Sequence, residues 1–303
     1  MKLANTTEDF GRITKFDYEK CIRYTHDAGF QYIDLSLYII QNDDPLFCRD
    51  DWRNAVKYLK ELGEELGIQY VQAHSPAGSP FQSPGHYCDY LQKTIRSIEI
   101  CGLLGIPNIV VHAGIKPGMF KDEFTNKNFD FFKELLPYME EWDVNVLCEN
   151  DPKTDGYYSL FNGTEMREFI ELMNHPLFHG CWDTGHANIN GSQYDDIVTV
   201  GEHLYAVHIN DNRGQLDEHM IPFFGTINMD EIMNALLDIK YKGYFTFESC
   251  YALRPADIYF GPRRTFEKDK RLYVPTLEMQ KDMAVFMRKM GEHILSAYNC
   301  YEN

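Results

Sequence analysis

Residues 178–186 read Phe-His-Gly-Cys-Trp-Asp-Thr-Gly-His. A short apolar run ends in an acid, Asp183, and a histidine, His186, follows three residues later across a glycine. At the mouth of a strand these two side chains can turn toward one point, and a carboxylate with an imidazole suits a divalent metal. Alone the pair says little, because an Asp and a His three apart are common in any turn. It gains weight because other apolar runs in this chain end the same way.

Short apolar runs alternate with helical patterns from one end of the chain to the other. Strands are expected at 2–5, 30–37, 68–74, 108–112, 144–150, 178–183, 204–210 and 244–248. Helices are expected at 17–28, 50–66, 87–104, 129–141, 164–174 (with Thr164 as its cap), 192–202, 229–239 and 276–298. Gly29, Gly67 and Gly105 stop three of them. Repeated βα order implies a parallel sheet with helical crossovers. Eight such units in 303 residues suit a closed (β/α)8 TIM barrel, read as a single domain over 1–303. No GxGxxG follows the first strand and no Walker loop occurs, which removes support for nucleotide-binding folds. In a barrel of this kind the chemistry lies at the C-terminal ends of the strands.

Composition narrows the function classes. The formal net charge is −17, which opposes binding to a nucleic acid, because that affinity comes largely from basic residues displacing counterions. No apolar run approaches the roughly 20 residues that span a bilayer, and the first residues lack the apolar core of a signal peptide. The expectation is a soluble, cytoplasmic protein with no membrane partner. The eight cysteines are scattered without a CxxC pair, and reduced core thiols are expected.

The strand ends carry a consistent set. The third strand ends in His74, the fourth in His112, the fifth in Glu149 and the sixth in Asp183, with His186 just beyond. The seventh carries His208, Asp211 follows it, and the next loop holds Asp217 and His219. The eighth ends in Glu248. Any one of these can be a cap or a loop anchor. Together they are a metal site, because a barrel gathers all its C-terminal strand ends. Alternation agrees: Asn145, Leu147 and Glu149 share a face, as do Ala206 with His208, and Tyr244 and Thr246 with Glu248.

Glu149, Asp183-x-x-His186, His208, Asp217-x-His219 and Glu248 together resemble the xylose isomerase-like barrels. These include sugar isomerases and epimerases of the tagatose epimerase and hydroxypyruvate isomerase type, inosose dehydratases and endonuclease IV. The resemblance covers nearly the whole chain; its motifs are specific for the superfamily and poor at choosing a substrate. For the sugar-active branch it implies one divalent ion, usually Mn2+ (Co2+, Mg2+ or Zn2+ in some), held by Glu149, Asp183, His208 and Glu248. Glu149 and Glu248 are then also the catalytic acid/base pair. His186 becomes a substrate contact, and His74, His112, Asp217 and His219 become substrate-binding or supporting groups.

That assignment makes chemical sense. Removing a proton beside a carbonyl needs a base and stabilisation of the developing oxyanion, which a Lewis-acidic metal supplies. Two carboxylates on opposite sides permit removal from one face and return to the other. The expected activity is a sugar or sugar phosphate isomerase or epimerase working through an enediolate on a small-molecule sugar. A lyase or dehydratase acting on an oxo-sugar, inosose or oxidised C-glycoside uses the same machinery; relatives of that kind often carry a small partner subunit, and a homo-oligomer is also open. The endonuclease branch holds three zinc ions on residues matching all nine of these positions, His74 and His112 included. The charge of −17 and loop 75–87, which has no Lys or Arg, count against it. A non-catalytic sugar-binding barrel would have no need of two opposed glutamates.

Three segments, 38–52, 75–87 and 251–275, are expected to cover the mouth. The last is locally basic, and Arg254 in it is the candidate contact for an anionic substrate group. Phe81, Tyr157, Tyr158, Phe223 and Phe224 are candidate sugar-stacking walls, whereas Trp182 is expected to point away because it neighbours Asp183.

Overall fold

The computed structural model describes residues 1–42, 46–83, 85–153, 155–191, 193–249, 253 and 275–302. Eight strands form in the expected order: β1 Leu3–Thr6, β2 Tyr32–Ser36, β3 Gln69–His74, β4 Asn108–Val111, β5 Asn145–Glu149, β6 Phe178–Asp183, β7 Leu204–Ile209 and β8 Phe245–Phe247. Every neighbouring pair is parallel, and β8 closes on β1. Helices in the crossovers cover the outside, because each strand buries one face inward and one outward.

The two faces have different contents. The outward face packs with the helices into one large apolar core that includes Ile33, Leu35, Val146, Trp182 and Phe247. The interior holds a small separate plug of Val110, Leu147, Cys181 and Ala206. One residue pair further along, the same inward faces carry Glu149, Asp183 and His208. Small apolar residues therefore fill the barrel below, and charged ones stand above them.

Three local expectations change. The helix expected at 129–141 runs from Lys121–Trp142. Its first half looks polar, yet Phe124, Asn128, Phe131 and Phe132 lie on the buried side. Asn128 breaks the apolar pattern because it works as a clamp: it donates to Gly114 O at 2.9 Å and accepts from Gly114 N at 2.6 Å. The helix expected to be capped by Thr164 spans Gly163–Met173, and Asn162 caps it by accepting from Glu165 N at 2.8 Å. Residues after β6 that fall in no expected element form a short helix, Thr184–Asn190, capped by Asp183.

One strand pairing is irregular. Between β2 and β3 the register shifts at Ile33/Asp34, so Ile33 pairs with Tyr70 but Asp34 with Gln72. Tyr70 packs in the outer core with its hydroxyl donating to Leu59 O at 2.7 Å, whereas Gln72 reaches the barrel interior. A bulge allows such a reversal. Among the described residues, no helix is long and apolar enough to cross a membrane.

Candidate metal centre

Four strands deliver four ligand groups to one point. Glu149 ends β5, Asp183 ends β6, His208 lies in β7 beside Asp183 in register, and Glu248 follows β8. One ligand atom of each lies within 4.8 Å of those of the others. His208 Nδ1 is 2.7 Å from Glu149 Oε1 and 3.4 Å from Glu248 Oε2. The imidazole thus sits between carboxylates from well-separated strands.

Two further groups adjoin this one. His74 and His112 face the other oxygen of Glu149, with Nε2 at 3.6 and 3.2 Å from Oε2. That oxygen is buried and makes no hydrogen bond of good geometry among the described residues. His186 and His219 face Asp217, with Nε2 at 3.5 and 3.0 Å from Oδ2. The structure therefore gathers nine of the ten candidate side chains into three adjoining groups. The tenth, Arg254, lies outside the described residues, as does the basic segment around it.

Each of the five histidines has its remaining nitrogen fixed. His74 Nδ1 lies 2.9 Å from Ser75 O, and His112 Nδ1 lies 3.2 Å from Asp151 Oδ1. His186 Nδ1 is 2.8 Å from Asn150 O, and His219 Nδ1 is 2.8 Å from Glu248 O. A proton held on those nitrogens would leave each Nε2 lone pair free for a metal. Such anchoring sets the ring and tautomer of a metal-binding histidine. His208 differs: it presents Nδ1, and its Nε2 points down into the barrel toward Gln72 at 2.7 Å.

Asp183 is held just as firmly. Its Oδ1 accepts from His186 N at 2.6 Å and its Oδ2 from Asn210 Nδ2 at 2.6 Å. Asn150 clamps its backbone, donating to Asp183 O at 2.9 Å and accepting from Asp183 N at 2.6 Å. Gly185 is required at the turn beneath: a Cβ there would lie 1.8 Å from Asn210 Oδ1. Asn150, Asp151, Asn210, Asp34 and Gln72 escaped the sequence reading. Two of them had a legible signal: Asn150 and Asn210 follow directly on Glu149 and the stretch containing His208. Asp211 anchors the following loop instead, accepting from Gly225 N and Ile227 N.

Burial and charge pull the titrations apart. Burial alone would lower the pKa of His112, but Glu149 and Asp151 hold it up to about 9. His219 is likewise held up to about 10 against burial, chiefly by Asp217. Burial would raise Glu149, but His208 and His112 keep it well below the ordinary carboxylate range. Glu248 goes the other way: burial pushes it up to about 7 despite His208 and His219. Two glutamates beside one imidazole thus have their proton affinities pushed in opposite directions. The donor set, three carboxylates and an imidazole with two histidine-rich groups alongside, fits a divalent cation.

The profile of the xylose isomerase-like TIM barrel family matches residues 22–271. The chain belongs to this family. Among related sequences, the uncharacterized protein y4fM of Sinorhizobium fredii is 27% identical over 272 residues, covering 77% of this chain and 82% of the relative. A mannonate dehydratase of Oceanobacillus iheyensis is 22% identical over 245 residues, covering 75% of this chain and 63% of that enzyme. Among solved structures, D-psicose 3-epimerase of Clostridium cellulolyticum H10 with D-tagatose superposes at a TM-score of 0.76 with 18% identity, over 97% of this chain and 99% of that one. The IolI protein with a bound zinc atom gives 0.73 with 16% identity, over 98% and 99%. At these identities the superpositions speak to the xylose isomerase-like fold.

Of the expected stacking residues, Phe223 and Phe224 are exposed, while Tyr158 packs edge-on against Phe124. Trp182 is fully buried in the outer core, with its Nε1 donating to Gln193 Oε1 at 3.1 Å. It points away from the mouth, as its place next to Asp183 requires.

Proposed function

We propose that this xylose isomerase-like barrel is a divalent-metal-dependent sugar or sugar phosphate epimerase or isomerase, with Mn2+ as the working ion, acting in the cytoplasm on a small-molecule substrate. The observation that carries this reading is the pair Glu149 and Glu248. One ends β5 and the other follows β8, and both face His208 Nδ1, at 2.7 and 3.4 Å. Glu149, Asp183, His208 and Glu248 would hold the ion, which when bound polarises a substrate carbonyl and its neighbouring oxygen. Glu149, ionised, takes the proton beside the carbonyl. Glu248, the second carboxyl of the pair, returns one from the other side. Return to the same carbon from the opposite face is epimerisation; return to the neighbouring carbon is isomerisation. The known activities of structural neighbours, among them psicose and ribulose epimerases, support this class.

Expulsion of a β-leaving group from the same intermediate would make the enzyme a dehydratase or lyase. The mannonate dehydratase relative supports keeping that outcome in the assay. Incubation in D2O with ketoses, their phosphates, inososes and oxo-glycosides should give deuterium at the carbon beside the carbonyl of one of them. Absence of exchange and of elimination across the panel, with Mn2+ present, would sink the reading.

A second reading is favoured by the groups His74–His112–Glu149 and His186–Asp217–His219, each able to hold another ion. A multinuclear site of that kind suits phosphodiester hydrolysis, as in endonuclease IV, although a chain of net charge −17 is poorly suited to DNA. Elemental analysis separates the two: one ion per chain supports the sugar enzyme. Three tightly held zinc ions with cleavage at abasic DNA sites would replace it.

A further inference from the structure

We infer that Asp34, buried inside the barrel beneath the candidate centre, is a positioning residue that accepts a hydrogen bond from the Nε2–H of His208 when Nδ1 binds a metal. The inference rests on the reading of His208 as a metal ligand. Asp34 is on β2, fully buried, and its Oδ1 has no hydrogen-bond partner among the described residues. Its Oδ2 accepts from Gln72 Nε2 at 3.2 Å and lies 3.6 Å from His208 Nε2. A carboxylate so placed is costly unless positive charge stands beside it.

The proton on His208 explains the placement. Without metal, Nδ1–H can donate to Glu149 Oε1 at 2.7 Å, while Gln72 Nε2 donates to the ring's Nε2 at 2.7 Å. A metal on Nδ1 needs that lone pair, so the single ring proton of a neutral imidazole must sit on Nε2. The Gln72 amide nitrogen, 2.7 Å from Nε2, cannot accept it and must turn away; Asp34 Oδ2, 3.6 Å from Nε2, can then close to accept it. The other four site histidines have backbone carbonyls or Asp151 against their remaining nitrogen. For His208 the acceptor comes from β2, three strands away around the barrel. The bulge at Ile33/Asp34 matters here, because it sets Asp34 beside Gln72 so that both reach the same ring.

The test compares wild type, Asp34→Asn, Asp34→Leu and His208→Ala, each freed of metal and then titrated with Mn2+ and Zn2+ against a chromophoric chelator. Loss of a partner that orients a ligand weakens metal binding about 10–100-fold. The expected order is wild type tightest, Asp34→Asn about tenfold weaker, Asp34→Leu weaker still, and His208→Ala weakest. The metal-free melting temperature should not fall in Asp34→Asn, since the change removes a buried charge. A merely structural Asp34 would lower that temperature and leave affinity unchanged, which would overturn the inference. The 1H–15N correlation of His208 in the zinc-loaded wild type is the check if a variant folds poorly. An Nε2–H proton shifted far downfield, as for a bond to a carboxylate, is expected. A proton on Nδ1, or an unshifted Nε2–H, overturns the inference. If wild type and His208→Ala bind metal equally well, or wild type binds none, the reading of the site fails and this inference with it.

Discussion

Glu149→Gln should destabilise the metal-free protein as well as abolish turnover. Glu149 is fully buried, and four imidazole nitrogens lie near its oxygens: His208 at 2.7 Å, His112 at 3.2 Å, His74 at 3.6 Å and His186 at 4.0 Å. The amide keeps the shape and removes the charge. Breaking a buried ion pair from one side costs about 3 kcal/mol. For 303 residues the unfolding entropy is about 0.6 kcal/mol/K, so the melting temperature should drop about 5 °C. The sign with pH follows from both partners. Glu149 is held well below the usual range, so its contribution is present above its unfolded pKa of about 4.5 and is lost in strong acid. His112 is held up to about 9, so the imidazole contribution is present below about 6.5 and fades as pH rises through about 9. The difference between wild type and variant should therefore be widest near pH 6 and shrink by pH 10. Calorimetric unfolding of chelator-treated protein at pH 6, 8 and 10 measures it. Equal melting temperatures at pH 6, or a gap that widens with pH, would refute the account of Glu149 as the counter-charge of these imidazoles.

Glu248→Gln should also abolish turnover, yet with the opposite effect on stability. Burial raises its carboxyl to about 7 in the fold, so ionisation erodes stability as pH rises from about 4.5 through 7. The metal-free variant should melt above wild type at pH 8 and level with it at pH 4, as thermal melts at both pH values would show. Gly185→Ala forces a Cβ to within 1.8 Å of Asn210 Oδ1, displacing the group that donates to Asp183 Oδ2. Metal affinity should fall at least tenfold by chelator competition, and wild-type affinity would contradict the role of that clamp. Asn128→Ala leaves Gly114 without its side-chain partners. It should cost about 1–3 kcal/mol in denaturant melts while metal affinity stays unchanged; a loss of affinity would tie that clamp to the site.

The sequence by itself determined the barrel and most of its furnishings. Eight apolar runs with helical patterns between them leave few other ways to bury both faces of every strand. Alternation along a strand then forces Glu149 inward with Leu147, and His208 inward with Ala206. The acids and imidazoles at strand ends were legible for that reason alone. Thr164 was misread because Asn162, two residues earlier, offers the same kind of cap, and the helix Lys121–Trp142 begins eight residues before expectation because its polar first half finds partners elsewhere in the chain. Asn128 looks like a break in an apolar face until Gly114 is beside it.

Only the tertiary structure decided how the candidate residues divide. Nothing in the order of the chain says that His74 and His112 share one oxygen of Glu149, or that His186 turns toward Asp217 although Asp183 is nearer in sequence. Those partitions depend on the register of neighbouring strands and on the short helix that Asp183 caps. Asp34 is the clearest case. In sequence it is one acid in an apolar run; a bulge between two strands and the closure of the barrel put it under a histidine 174 positions away in the chain, His208.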